Sequence, residues 1–367
     1  MTVLDARRGI LLLTVLAAAC GRQPETATVG LAYPPGWRNV DAARLAASDL
    51  DAAHHEHVIR LLLDSTFVGD SAQVEVRRAE RLVADPTVMT VIGPSNSRGA
   101  LATAPIYNAA GVTQINPQAT SHLLASLDGR TLSLIPDDSL EGEFIGMFLA
   151  DSLHARSATI FFANDEYGIG LREGVERALS NRRIQVADKV PFSESGPFQV
   201  LVSTSLQRAR PDAFVIAGRS LATLEISRSL HGAIPGAAIV VGDGAMVPER
   251  LATLGDSILA TMHVVSFWVA APGDSAATAF SQRFRSLLGR DPEPADAYVY
   301  DGVMLSAAAV QAVGPDRDAV WEWLRSLGTS EPPYQGVTGP IAFNEPPLSR
   351  MVMIRIRDGR AEAEWRR

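Results

Sequence analysis

The feature that most limits what this chain can fold into is the stretch from Val88 to Ser121. It reads as a short apolar strand (Val88–Ile92), a polar turn Gly93-Pro94-Ser95-Asn96-Ser97, and a helix to about Ala110. A second strand (Val112–Ile115) and a second polar turn, Asn116-Pro117-Gln118-Ala119-Thr120-Ser121, complete it. Strand, helix and strand in this order form a right-handed crossover, so both turns lie on one edge of a parallel sheet. A helix N-terminus beside Ser and Thr hydroxyls offers free N–H groups to a small anion such as a carboxylate. The plainer use of Ser95 or Ser97 is as a helix cap.

The flanking sequence repeats the alternation. Before the crossover lie a strand at Thr28–Ala32, a loop with Trp37, a helix at Val40–Ala53, a strand at Val58–Asp64 and a helix at Ala72–Ala84. That last helix turns Val74, Ala79, Leu82 and Val83 inward and Arg77, Arg78, Glu80 and Arg81 outward. After a strand at Thr131–Ile135 a second unit of the same kind begins. Its helices are expected at Ser139–Leu153, Gly170–Ser180, Phe198–Ala209 and Leu221–Leu230. Its strands are expected at Ala158–Phe162, Ile184–Val190, Ala213–Ala217 and Ala238–Val241. The loop Ala163–Gly168 follows the first of these strands, Gly218-Arg219-Ser220 the third, and Gly242-Asp243-Gly244 the fourth. From Thr261 the chain returns through an extended segment (His263–Val269) and helices at Ala276–Leu288, Ala295–Val313 and Ala319–Leu327. It finishes with antiparallel strands around Ile341–Phe343, Met351–Arg357 and Ala361–Trp365. The fold class is therefore α/β, with two doubly wound parallel-sheet lobes.

Composition narrows the function. With 47% hydrophobic and 20% charged residues among 367, the chain has the profile of a soluble globular protein. A net charge of −8 argues against nucleic acid as a partner. The N-terminus is a separate matter: Arg7 and Arg8 precede the apolar run Gly9–Ala19, which reads as a secretory signal peptide over residues 1–19. The single cysteine, Cys20, follows the small residues Ala17-Ala18-Ala19, and residues 20–27 read as a polar tether. With one Cys an intrachain disulfide is impossible.

Three catalytic or metal readings fail on chemistry. Gly168-Ile169-Gly170-Leu171-Arg172-Glu173-Gly174 misses the dinucleotide fingerprint by one residue, and Asp165 and Glu166 would repel a pyrophosphate. Gly93-Pro94-Ser95-Asn96-Ser97 is not a nucleophile elbow, and His122 lacks an evident orienting acid. The run His54-His55-Glu56-His57 places adjacent histidines that do not converge on a metal, and reads as a solvated loop. Neither catalytic residue nor cofactor nor metal is expected.

The order and spacing of several segments resemble the leucine/isoleucine/valine-binding family of type I periplasmic substrate-binding proteins. These are Val91-Ile92-Gly93-Pro94 with Ser97, Ala104-Pro105-Ile106-Tyr107, Asn116–Ser121, Ile135-Pro136-Asp137-Asp138, Asp165-Glu166-Tyr167-Gly168, Gly242-Asp243-Gly244, Ala297-Tyr298 with Tyr300-Asp301, and Thr338-Gly339-Pro340-Ile341. Cys20 at the end of the signal resembles a lipobox, which implies an acylated Cys20 and a lipid anchor in the cell envelope. The resemblance implies two lobes, 28–136 with 266–338 and 137–265 with 339–367, joined by three chain crossings that act as a hinge. It implies a monomer that captures an amino acid or similar small carboxylate between the lobes and hands it to an ABC transporter permease. The alternative within the same fold is a ligand sensor that reports to a membrane receptor or regulator; a third is a structural module with an empty cleft.

Residue by residue, the resemblance gives Ser97 and Thr120 to the ligand carboxylate, the backbone of Ala119 and the side chain of Asp243 to the ligand ammonium, and Tyr167 to an aromatic wall. Arg219 stands about where the family often has a second aromatic, and would pair with Asp243 or recruit an anionic ligand group. Trp37 falls roughly where another cleft-lining side chain is expected. Both depart from the pattern expected for branched-chain side chains.

Overall fold

In the computed structural model, which describes residues 26–52, 57–127, 129–270, 273–344 and 350–366, strand and helix alternate from the start. The first run is β1 (Thr26–Leu31), α1 (Val40–Ala52), β2 (Val58–Leu63), α2 (Ala72–Val83), β3 (Val88–Ile92), α3 (Ser97–Ala109), β4 (Thr113–Asn116) and β5 (Thr131–Ser133). Its five strands form a parallel sheet in the order β2-β1-β3-β4-β5. Winding reverses at β1, so the crevice between the ends of β1 and β3 is a topological switch point.

The second run is α4 (Asp138–Asp151), β6 (Ser157–Ala163), α5 (Glu166–Asn181), β7 (Gln185–Phe192), α6 (Phe198–Arg208), β8 (Ala213–Ala217), α7 (Ser220–Ala233) and β9 (Ala238–Val241). Two short helices, α8 (Pro248–Leu251) and α9 (Asp256–Leu259), lead to β10 (Met262–Ser266). After α10 (Ser275–Leu288), α11 (Pro294–Val313), α12 (Arg317–Ser326) and the hairpin β11 (Tyr334–Gly336) to β12 (Gly339–Ile341), the chain ends in β13 (Val352–Arg357) and β14 (Arg360–Trp365). The second sheet runs β14-β13-β10-β9-β8-β6-β7. Its β6–β10 strands are parallel, and β13 and β14 close it antiparallel.

α10 to α12 lie back on the first sheet's side of the molecule. Tyr300 in α11 donates its hydroxyl to Asp49 of α1 at 2.8 Å. Arg317 of α12 donates to the carbonyls of Asp85, Val88 and Ala110 at 2.8–2.9 Å. The chain thus passes from the first sheet to the second after β5, back after β10, and over again before β13.

The doubly wound α/β class expected from the alternation is what the chain adopts. α5, however, starts at Glu166, ahead of the expected Gly170. The Asp165 carboxylate accepts the Gly168 amide at 3.0 Å and caps the helix there, so Tyr167 belongs to its first turn and not to a loop. The strand expected at Ile341–Phe343 is Gly339–Ile341, with a partner at Tyr334–Gly336. Asp301 imposes that hairpin from α11: its carboxylate accepts the amides of Val337 and Thr338 and the Thr338 hydroxyl at 2.6–2.8 Å.

α4 and α5 pack at unusually close range. A Cβ on Gly142 would lie 2.2 Å from the Gly174 carbonyl carbon, and one on Gly174 would lie 2.3 Å from the Asp138 carbonyl oxygen. Only glycine admits this approach, and it sets the depth at which Tyr167 meets the turn after β9.

Candidate ligand-binding site

A cavity of about 540 Å³ lies where the carboxyl ends of both parallel sheets face each other. This is where open α/β sheets bind ligands. From the first sheet come Trp37 after β1, Ser97 after β3 and Thr120 after β4. From the second come Tyr167 after β6, Arg219 after β8 and Asp243 after β9. Six of the seven residues expected around the ligand therefore line one space. The seventh, Ala119, is buried beside Ala100 and Leu124 and is not among the lining residues. Cys20 and the signal segment lie outside the described residues, as do His54, His55 and Glu56.

On the first-sheet side the wall is built from hydroxyls and amides. Asn96, not Ser95 or Ser97, caps α3 by accepting the Gly99 amide at 2.8 Å, so the Ser97 hydroxyl is not used for the cap. Thr120 is held from behind: its carbonyl accepts the Asp138 amide at 2.8 Å. Trp37 is oriented by its indole N–H donating to Asn39 at 3.1 Å, and Asn39 donates to the buried Asp296 of α11 at 2.8 Å.

The second-sheet side is acidic. The Tyr167 hydroxyl donates to Asp243 at 2.9 Å and accepts the Gly244 amide at 2.9 Å, and the Asp243 amide donates to Glu141 at 2.8 Å. A Cβ on Gly244 would sit 2.8 Å from the Tyr167 ring, which explains a glycine beside Asp243. Burial pushes the Asp243 carboxyl up, against the hydrogen bonds it makes with Glu141 and Tyr167. Burial, with Asp243 close by, pushes Glu141 well up; it pushes Asp138 up too. Tyr167 is likewise driven up by burial and by Asp243, so its phenol stays neutral.

Arg219 departs from expectation. It lies over the Tyr167 ring, 5.2 Å from the centroid, and is paired with Asp165, with Glu194 3.6 Å away. Asp243 is not its ion-pair partner. Its charge is met by acids that the sequence reading did not connect to it, because Glu194 comes from the segment after β7, remote in the chain.

Several lining residues escaped the sequence reading: Arg38, Asn96, Gln118 and Glu293. So did Glu141 behind the wall. Its signal is present, since Asp138 and Glu141 fall three apart on the same face of α4 as Gly142 and Ile145, where an apolar stripe is due.

A family model described as periplasmic binding protein matches residues 30–360. An amino acid binding protein of Pseudomonas aeruginosa is 23% identical over 297 residues, covering 79% of this chain and 77% of that protein. Among solved structures, a leucine-binding protein of Thermotoga maritima superposes with a TM-score of 0.80 at 21% identity, covering 92% of this chain and 98% of the other. A solute-binding protein of an ABC transporter from R. palustris, in complex with 4-hydroxybenzoate, gives 0.78 at 14% identity over 93% and 96%.

Proposed function

The chain belongs to the periplasmic binding protein family, and from that premise we propose that it is an extracytoplasmic solute-binding protein for an amino acid or similar small carboxylate. The family is one of non-catalytic binding proteins, and no chemistry is performed on the ligand. Captured between two closing lobes, the solute is handed to an ABC transporter permease. In this reading the protein is a monomer anchored in the cell envelope through acylated Cys20. The lobes are 28–136 with 266–338 and 137–265 with 339–367, and the three chain passages between the sheets serve as the hinge.

One observation carries the reading: hydroxyls from the first sheet and a carboxylate from the second face each other across a single cavity. Ser97 and Thr120 take the ligand carboxylate, with charge-assisted hydrogen bonds. Asp243, held by Tyr167 and by the Glu141–amide contact, takes the ammonium. Ala119 contributes through its backbone alone, beside the lining residues Gln118 and Thr120. Tyr167, with Arg219 over its ring, and Trp37 bound the side-chain end. A zwitterion touching both sides binds the closed form better than the open one, which is what closes the lobes.

The relatives' ligands fit the same chemistry. Leucine and 4-hydroxybenzoate, named with two of the matched structures, are both small carboxylates, and they differ in whether an ammonium is present. Asp243 favours the ammonium. In a thermal-shift screen of L-amino acids, a binding amino acid is expected to raise the melting temperature. Ser97→Ala, Thr120→Ala and Asp243→Ala are each expected to weaken it by about 1–3 kcal/mol in calorimetric titration. Parent-like affinity in all three variants would show the site to be misassigned.

A further inference from the structure

Glu141, in α4, lies behind the wall that carries Asp243 and is fully buried. It does not line the cavity. One carboxyl oxygen accepts the Asp243 amide at 2.8 Å; no donor among the described residues reaches the other. The groups that face it are Asp138, one turn earlier in α4, Asp243 from the turn after β9, and the Tyr167 phenol from α5. None of them is a cation. Asp137 and Asp165 add negative charge around Asp138, while Arg219, the near cation, acts on Asp243 and is paired with Asp165.

Asp243 stands differently. It opens to the cavity, accepts the Tyr167 hydroxyl and feels Arg219. Two buried acids this close, with no cation facing Glu141, cannot both hold a charge without a large cost. Charge settles on the carboxyl that has water, a donor and a cation nearby, and the proton stays on the one that has none of these. We propose that Glu141 is a positioning residue held as a neutral acid at neutral pH: it fixes the turn that carries Asp243 and leaves Asp243 as the charged member of the pair, on the side that faces the cavity. Its carbonyl oxygen takes the Asp243 amide, and the proton sits on the oxygen that no donor among the described residues reaches. This deepens the reading of Asp243 as the ammonium partner and rests on it for its purpose. The protonation of Glu141 can be measured with no ligand at all.

The test is urea unfolding of the ligand-free protein and of Glu141→Gln, which keeps the shape and the acceptor for the Asp243 amide without a titrating group. An unfolded glutamate ionises near its ordinary value of about 4.3. A folded Glu141 that keeps its proton binds one more proton than the unfolded chain does, so wild-type stability falls as pH rises. The other carboxyls are common to both proteins and cancel. Between about pH 5 and about pH 7, the ratio of wild-type to variant folding constants is expected to fall about tenfold per pH unit. A flat ratio means an ionised Glu141 and overturns the proposal. Infrared spectra decide the matter even if Glu141→Gln does not fold. The carbonyl band of a protonated carboxyl is expected to persist at neutral pH in Asp138→Asn, and its absence overturns the proposal. A failed amino acid screen leaves these outcomes untouched, and a flat ratio leaves the ligand assignment untouched.

Discussion

At the scale of single residues, what the cavity discriminates rests, in the proposed reading, on a division of labour between Asp243 and Arg219. Asp243 has a neutral phenol and an amide around it but no ion-pair partner among the described residues, and in the proposed reading it therefore retains its attraction for an ammonium. Arg219 is already matched by Asp165 and Glu194 and lies over the Tyr167 ring. Taking it away should alter which side chains fit more than whether a ligand binds. Arg219→Leu is expected to change the ranking of L-leucine against L-glutamate in competition titrations. With the guanidinium more than a third exposed, the change should cost only about 1 kcal/mol of stability in urea unfolding. A uniform loss across all amino acids would instead place Arg219 on the common carboxylate or ammonium end. The residues at the strand ends were legible in the sequence because each follows an apolar strand at a polar turn. The partners of Arg219 were not, because pairing between loops depends on sheet order, which local sequence does not specify.

Among elements, the α4–α5 contact matters most to the site. Asp138 and Glu141 on α4 and Tyr167 on α5 all converge on the turn after β9, and two facing glycines set the spacing. Gly142→Ala adds a methyl where backbone atoms already sit, and overpacking of this kind costs about 1–3 kcal/mol. The expected result is that loss in urea unfolding, together with weaker binding, since Tyr167 is pushed off Asp243. Unchanged binding in the folded variant would separate the helix contact from the site. The start of α5 shows why sequence periodicity fell short here. Glu-Tyr-Gly-Ile-Gly is poor in apolar repeats and rich in glycine, so the pattern begins only at Gly170. The helix actually begins where the Asp165 side chain caps it, a signal carried by one residue and not by a period. The hairpin at Tyr334–Ile341 was hidden for a related reason. It is organised by Asp301, which comes from another element.

Over the whole molecule, the two sheets are brought mouth to mouth by three chain passages and by ion pairs across the cavity's rim. Arg98 of α3 donates to Glu166 of α5 at 2.9 Å, and Arg38 after β1 donates to Glu249 of α8 at 3.2 Å. These side chains are a third to a little over half exposed, so each pair contributes only about 0.2–1 kcal/mol to holding the two sides together. In the proposed reading, the larger contribution to closure comes from a guest that bonds to both sides at once.

That claim is tested most directly by a matched series: L-leucine, its deaminated analogue 4-methylpentanoate and its decarboxylated analogue isopentylamine, each titrated calorimetrically into the protein. If L-leucine itself is rejected for its side chain, the amino acid that does bind replaces it, with the corresponding analogues. Only the molecule carrying both charges is expected to bind tightly, and Asp243→Asn is expected to remove its advantage over the deaminated acid. Equal affinity for the amino acid and the deaminated acid would contradict that claim, leaving a cavity that reads a carboxylate alone.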